Sequence, residues 1–430
     1  MKQCSCLSLG VAAALGIGSA TSSHWAEASG FALPEISAAG VATANALVAN
    51  PEEPGAFAYN PAAMGFHDSS SLAAGVLFID PTFSVRTATG SHDSDGASWV
   101  PAPMLQGAFR LSDNWRIGLG VNAPFGLETR WKLGTFPAMS ESIPIPGAPI
   151  SLPAGLDHPD QSKLELFAVV PTLTYRINDQ LSIAAGADYY NARTVRLNTH
   201  VSRIDADGQG WGWNASLLFK QDAWSVGVSY HSAATVDVDG NLKVSDPVLV
   251  ALGSSFQQDV EADLKLPWRL QLGVRYAVNE KLALEADWAR TGWSKFEEIK
   301  ILSKATGALI QRNIENWEDA NSYRFALTYQ LLPATQLRFG YSYDETGADD
   351  DFFTARIPDN DRHLFGLGVG HRFDDGWALD ASYMYVRFKD RNYRGNKPYL
   401  PGEDVNGTDA FDGKYEGHAH LVAVEVRKSF

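Results

Sequence analysis

An alternation of apolar and polar residues with a period of two, repeated along most of the chain, limits what this sequence can fold into. In Trp377-Ala378-Leu379-Asp380-Ala381-Ser382-Tyr383-Met384-Tyr385, one face carries Trp377, Leu379, Ala381, Tyr383 and Tyr385, and the other carries Asp380 and Ser382. Leu282, Leu284, Ala286 and Trp288 alternate in the same way with Glu285 and Asp287. So do Leu337, Phe339, Tyr341 and Tyr343 with Arg338, Ser342 and Asp344. Successive side chains of a strand point to opposite faces, so each run reads as a strand with one apolar and one polar face. Soluble sandwiches alternate too, but they usually keep aromatics away from strand ends. Here Trp and Tyr sit at those ends, as interfacial girdles do.

The connections separate the two possibilities further. Strands read from about Ser70 to Phe430 number roughly fourteen, an even count as in bacterial barrels. Alternate connections are very short: Asp113-Asn114, Asn178-Asp179, Lys220 to Asp222, Asn279-Glu280, Leu332 to Ala334 and Asp374 to Gly376. Those between them are mostly long and polar: Pro81 to Trp99, Trp131 to Gln161, Ala233 to Asp263, Gly292 to Ala320, Glu345 to Asp361 and Lys389 to Gly417. Tight turns on one side and long loops on the other define an up-and-down transmembrane barrel, with turns periplasmic and loops outside. The reading is therefore all-β, a transmembrane antiparallel β-barrel spanning residues 68–430. Its last strand ends Val422, Val424, Val426 and Phe430 on one face, a C-terminal pattern suited to the barrel-assembly machinery.

The first residues suit export. Lys2, the apolar stretch Leu7 to Ile17 and Ala26-Glu27-Ala28 form a signal peptide of residues 1–28 with cleavage expected after Ala28. The apolar stretch is too short to span a bilayer, which needs about 20 residues. Cys4 and Cys6 both lie in this leader, so neither a disulfide framework nor a thiolate metal site is expected afterwards. A formal charge of -15 argues against a nucleic-acid partner and suits lipopolysaccharide bridged by divalent cations. Residues 29–67 lack sustained alternation and are rich in Ala, Gly, Pro and Asn. They include the small, apolar run Ser37 to Ala46, and they are expected to fold into the barrel as an N-terminal plug or hatch.

Five short stretches, in order on this pattern, carry a resemblance. They are Ser29-Gly30-Phe31-Ala32-Leu33-Pro34-Glu35, Asn60-Pro61-Ala62, Phe78-Ile79-Asp80-Pro81, Phe125-Gly126-Leu127-Glu128-Thr129 and Ile357-Pro358-Asp359-Asn360-Asp361-Arg362. From Ser29 to Phe430 the chain resembles the FadL/TodX long-chain fatty acid and hydrocarbon transporters of Gram-negative outer membranes. The resemblance implies a fourteen-stranded barrel with a hatch, a kinked third strand opening a lateral hole, and a ligand that leaves sideways into the bilayer.

Residue by residue, the resemblance makes Phe31 the aromatic of an interior ligand pocket. Asn60, Pro61 and Ala62 become a hatch motif, and Gly126 the kink of the third strand, where a missing Cβ permits a break in the ladder. Arg312 would be a basic residue of the pocket and Arg196 a looser match, each able to fork onto a carboxylate. Against these, Phe31 also reads as plug packing, Gly126 as an ordinary strand glycine, and both arginines as partners of lumenal carboxylates. One departure stands out. The connection after the fifth strand, about Asn198 to Gln209, is much shorter than in the fatty-acid members, which puts the outer capture site in question. The long loop Trp131 to Gln161 is a candidate to take over part of that role.

The expected function is outer-membrane passage of a hydrophobic ligand, long-chain fatty acids first, by passive diffusion through a plugged barrel with lateral exit. An aromatic or alkane hydrocarbon channel of the same family and a non-selective porin are the alternatives, and a surface adhesin is a third idea. No P-loop or energy-coupling box is found. No Ser-His pairing or metal spacing supports catalysis: Glu285 and Asp287 are a lumenal pair, and His363, His371, His418 and His420 lack ligand spacing. No enzyme activity, cofactor or metal is expected, and the barrel is expected to be a monomer in outer-membrane lipid and lipopolysaccharide.

Overall fold

A computed structural model describes residues 30–430 apart from 148 and 255, so the expected leader and its cleavage site lie outside the described residues. Fourteen antiparallel strands close into a ring. They are β1 (Ser71–Thr87), β2 (Val100–Arg110), β3 (Trp115–Arg130), β4 (Pro159–Arg176), β5 (Leu181–Thr199) and β6 (Ser202–Gln221). β7 is Trp224–His231 continued by Ala234–Val244, and β8 is Gln257–Leu266 continued by Trp268–Ala277. The rest are β9 (Leu282–Gly292), β10 (Ala320–Leu332), β11 (Thr335–Asp344), β12 (Arg362–Arg372), β13 (Trp377–Phe388) and β14 (Gly413–Ser429). Each strand pairs with its neighbour in sequence, and β14 closes on β1 from Ser71↔Ser429 to Arg86↔Lys414.

The alternation is inverted relative to a soluble sheet. Asp380, Ser382, Glu285, Asp287, Arg338 and Asp344 are buried inside. Their neighbours Trp377, Leu379, Leu284, Phe339, Val424 and Val426 are exposed on the outside. Apolar side chains in contact with water would be costly over so large a band, whereas hydrocarbon around the barrel removes that cost. Closing the ring also leaves no open sheet edge at membrane depth. Paired aromatics mark the two boundaries. Trp115 packs against Tyr175 at 4.6 Å and Trp224 against Tyr276 at 4.4 Å, with tilted rings, near the short turns. On the long-loop side Tyr189 meets Trp211 at 4.7 Å and Trp213 meets Tyr230 at 5.2 Å.

Several stretches that read as loops continue as strand. β5 and β6 stay paired up to Arg196↔Asp205, so Asn198 to Gln209 is not a loop but the top of a tall hairpin. Its alternation persists there, with Ile204 buried inside and Asp205 outside. The Ala233 to Asp263 stretch likewise holds the paired outer halves of β7 and β8. Between β9 and β10 a further hairpin, Glu298–Ser303 with Leu309–Ile314, rises above the ring.

Residues 30–67 occupy the interior. A one-turn helix, α1 (Ala38–Ala42), is capped by Ser37, whose hydroxyl accepts from Gly40 N–H. Two 3₁₀ turns follow, Pro54–Ala58 and Pro61–Phe66. This inner segment is held by polar groups from the wall. Glu285 and Asp287 of β9 accept from Ala49 and Val48 N–H at 2.8 and 3.2 Å. Gln271 of β8 and Arg324 of β10 donate to Asn45 O. Arg338 of β11 and Arg427 of β14 both reach Glu53, at 2.6 and 3.3 Å. Many of the buried polar groups of the lumen thus find their partners on the segment that fills it.

Candidate functional site

The wall is interrupted beside the third strand. β3 pairs with β2 only from Arg110↔Arg116 to Leu105↔Val121. Above that point Val100 to Met104 keep their ladder to β1 and have none to β3. The β3–β4 register shifts between Asn122 and Phe125, where three steps on β3 match two on β4. That is a bulge, which bends the strand away from its neighbour. Pro101, Pro103 and Pro124 supply no N–H at this gap, which removes donors that a continuous ladder would need.

The start of the inner segment runs along the freed edge. Leu33 N–H donates to Pro124 O at 2.8 Å and Gly126 N–H to Phe31 O at 3.0 Å, with Ala32 bridged to Phe125. Gly126 therefore stands one residue past the register shift, and a Cβ there would lie 3.0 Å from the Leu33 side chain. Its missing side chain lets the two backbones approach.

Two cavities meet at this edge. A chamber of about 370 Å³ lies directly behind the gap, bounded by Ala102, Leu364, Val386, Phe388, Ala419 and Leu421. Above it a narrow cavity of about 90 Å³ runs between β4–β8 and the hairpin, with Leu197, Ile204, Val238, Val260, Leu264 and Ile301 in its walls. Leu127, Lys163 and Leu164 border both. Phe31 stands at the junction within a group of aromatic rings: Trp293 at 4.8 Å, Phe296 at 5.3 Å, Phe125 at 5.8 Å and Trp317 at 6.0 Å. Gly30 N–H is anchored to Asp359 at 2.8 Å, which fixes the start of this segment against the β11–β12 loop.

The upper cavity has one polar end. Arg356, on the β11–β12 loop, is 5% exposed, and its Nη1 donates to Ser162 Oγ at 3.0 Å and Asn198 O at 3.1 Å. No carboxylate lies within ion-pair distance of it among the described residues. Burial pulls its pKa down to about 10, which leaves it charged at neutral pH. The loop is pinned in place by Thr129 Oγ1 and Trp131 Nε1, which donate to the carbonyls of Arg356 and Ala355 at 2.8 Å each. Beside it stand Asn313 and Glu315. Asn313 Oδ1 accepts from Gln311, so its Nδ2 is the free end, and that atom is buried without a partner among the described residues. Glu315 Oε1 accepts from Asn406 at 3.1 Å, and the carboxyl also interacts with the Trp317 side chain. Burial raises the Glu315 carboxyl to about 8, with Asp404 pushing the same way, so at neutral pH it carries a proton. All three groups then offer donors.

The sequence-derived residues fall in different places. Phe31 borders the upper cavity. Asn60 caps the turn Pro61–Phe66: its Oδ1 accepts from Ala62 N–H, and its Nδ2 donates to Val48 O and Leu217 O at 2.7 and 3.0 Å. Pro61 and Ala62 begin that turn, fully within the inner segment. Arg196 is in the cavity wall, but its guanidinium is held by Asp205 at 2.5 Å. Arg312 projects from the hairpin, half exposed, and binds Glu298 at 2.6 Å away from both cavities. Arg356 was not singled out from the sequence. The only local hint is the apolar frame of Phe352-Phe353 and Ile357 in an otherwise acidic loop.

A membrane-spanning barrel, filled by its own N-terminal segment, with an apolar chamber behind a break in the wall, has the architecture of a transporter of hydrophobic compounds. The chain belongs to the outer membrane protein transport protein family (OMPP1/FadL/TodX), whose model matches residues 19–143 and 151–430. It is 25% identical to a long-chain fatty acid transport protein of Escherichia coli O6:H1, over 97% of this chain and 98% of that one. The fold matches a FadL homologue of Pseudomonas aeruginosa with a TM-score of 0.76 at 18% identity, covering 94% of this chain and 100% of the other. It also matches the toluene transporter TbuX of Ralstonia pickettii at 0.67 and 16% identity, covering 92% and 98%. As a member of that family the protein resides in the outer membrane.

Proposed function

We propose that the ligand is a long-chain fatty acid, bound with its carboxylate at Arg356 and its chain directed past Phe31 into the chamber behind the gap. The observation that carries this reading is the buried guanidinium without a carboxylate at the polar end of an apolar cavity. Asp157, Glu315 and Asp160 act on it without reaching ion-pair contact; a buried charge with no contacting counter-ion is costly, and an anionic head group would relieve that cost. Arg356, Asn313 and protonated Glu315 all donate, which matches the acceptor-only character of a carboxylate. Arg312 and Arg196 already have carboxylate partners, so in this reading they stay outside the head-group site.

Two cavities in series also suit an elongated molecule better than a compact one. Each CH₂ removed from water contributes about 0.8 kcal/mol, so the chain gains by following apolar walls to the bilayer. Below the chamber the lumen is filled by the inner segment, and the open side is the β2–β3 gap. Exit is therefore sideways, and passage is passive. The aromatic rings around Phe31 favour a second reading, in which a neutral aromatic hydrocarbon takes the place of the Phe31 ring.

Binding of oleate, oleyl alcohol and toluene to the purified barrel, for the parent and Arg356→Gln, decides between them. Oleate should bind more tightly than oleyl alcohol. Arg356→Gln should remove that preference, a loss of about tenfold to a hundredfold for a charged hydrogen bond. Tight toluene binding with no oleate binding would transfer the proposal to the hydrocarbon.

A further inference from the structure

The wall has a second interruption, on β8. This strand pairs with β9 from Ala277↔Ala283 up to Trp268↔Gly292. It meets the hairpin again only at Val260↔Ser303 and Glu261↔Leu302. Between those points Ala262 to Pro267 face Trp293 to Ile301, and among the described residues no hydrogen bond or ion pair crosses the seam. Pro267 has no N–H, and a 3₁₀ turn at Trp293–Lys295 takes the opposing strand out of register. The inner edges of the seam, Leu264 and Ala262 on one side and Phe296, Ile299 and Ile301 on the other, are walls of the upper cavity. Its outer edges, Lys265 and Leu266 against Lys295, Glu297 and Glu298, border a surface groove that includes Trp211. Two of the charges on the rim are paired on their own side: Lys265 binds Asp263 at 2.9 Å, and Glu298 binds Lys300 and Arg312. Among the described residues no hydrogen bond or ion pair across the seam has to break for the edges to part.

The seam also sits at a particular height. Trp268 marks its lower end and packs near Tyr230, and Trp211 and Trp213 lie at the same outer boundary. Aromatics of this kind sit at the level of the lipid head groups. Single-chain amphiphiles collect at that level, with the head in water and the chain in the bilayer.

We propose that this seam is the port by which a single-chain carboxylic amphiphile enters the upper cavity from the outer surface of the membrane, opposite in role to the exit at β2–β3. This rests on the reading of the upper cavity as the carboxylate site. Phe296 and Leu264 act as its apolar closure, and the short β5–β6 connection is then no handicap, because capture takes place on the other side of β7.

The test staples the seam in the folded protein. In the full chain carrying Cys4→Ser and Cys6→Ser, Lys265→Cys and Glu297→Cys introduce the only thiols, and a flexible bis-methanethiosulfonate joins them reversibly. Stopped-flow binding of a fluorescent fatty acid is then followed. Stapling should slow association and dissociation together by about tenfold or more, with an unchanged equilibrium constant, and dithiothreitol should restore both rates. Each single-cysteine chain treated with the same reagent should exchange ligand several-fold faster than the stapled chain. Unchanged rates in a chain shown by mass to be stapled would overturn the port while leaving the head-group site intact. Failure of the unstapled parent to bind any fatty acid would instead overturn the site itself, and the port with it.

Discussion

Arg338 Nη2 lies 2.6 Å from Glu53 Oε2, and this contact joins the wall of the barrel to the segment inside it. The pair belongs to a four-member cluster. Asp380 binds both Arg338 and Arg427 at 2.6 Å, and Arg427 reaches back to Glu53 at 3.3 Å. All four are nearly inaccessible, so each charge depends on the others.

Removing Glu53 leaves two buried guanidinium groups sharing one carboxylate. Glu53→Ala should weaken the seating of the inner segment by about 3–5 kcal/mol, the cost of breaking a buried pair. The ring itself is closed by strand pairing and should survive, as heat-modifiable mobility on gels would show. The expected outcome is larger and noisier conductance in planar bilayers than for the parent. Equal conductance would mean that the other contacts of the segment suffice.

Ligand affinity should depend on pH through Glu315. Burial raises its pKa to about 8, so below that value it is neutral and donates, and above it an anion faces the ligand's carboxylate. Arg356 stays charged through this range, because its own value is about 10, and the other charged group near Glu315 is Asp404. Oleate binding should therefore weaken as pH rises through about 8, by roughly tenfold for one lost favourable contact of about 1.4 kcal/mol. Glu315→Gln keeps the donor and cannot ionise, so its affinity should be flat across the same interval in equilibrium dialysis.

Much of the barrel was legible in the sequence because its cause is local. Asp380 and Ser382 against Trp377 and Leu379 state the inside and outside of β13 without reference to any other strand. The strand ends were less legible. Asn198 to Gln209 and Ala233 to Asp263 carry the polar composition of loops, yet they are tall hairpins, because their outward faces lie above the membrane in water. The proposed head-group site was hidden for another reason. Arg312 looks like a pocket residue by its neighbours in sequence, but whether an arginine is exposed or buried depends on which loop folds over the lumen. Arg356 is held by Ser162, Asn198 and Thr129, and its neighbour Ala355 by Trp131, none of them near it in the chain.

Phe31 lines the upper cavity, and its chain neighbours Gly30 and Ala32 line the chamber. Phe31→Ala should cost about 3 kcal/mol of aromatic packing. The space it leaves is the path assigned to the chain of the ligand, and the backbone bonds from Leu33 and Gly126 remain. Oleate uptake into cells lacking any other transporter of this kind should be faster than with the parent. Slower uptake would mean that the ring guides the ligand and does not obstruct it.

The β2–β3 gap depends on one extra residue. From Asn122 to Phe125 the third strand advances three positions while its partner goes from Ala168 to Leu166, only two. Deleting Pro124 removes that excess and one of the three residues without an N–H at the gap, so the outer half of β3 should return to register and pack against Val100 to Met104, with Pro101 and Pro103 still supplying no donors. The head-group site lies above the gap and does not include Pro124, so oleate should still bind the purified barrel with an affinity within about twofold of the parent, well under the 1.4 kcal/mol that makes a tenfold change. Uptake by cells should nevertheless collapse, because the bound chain has no opening to the bilayer. Normal uptake with a closed ladder would show that the ligand leaves by another route, and the displacement of the inner segment would then be the first place to look.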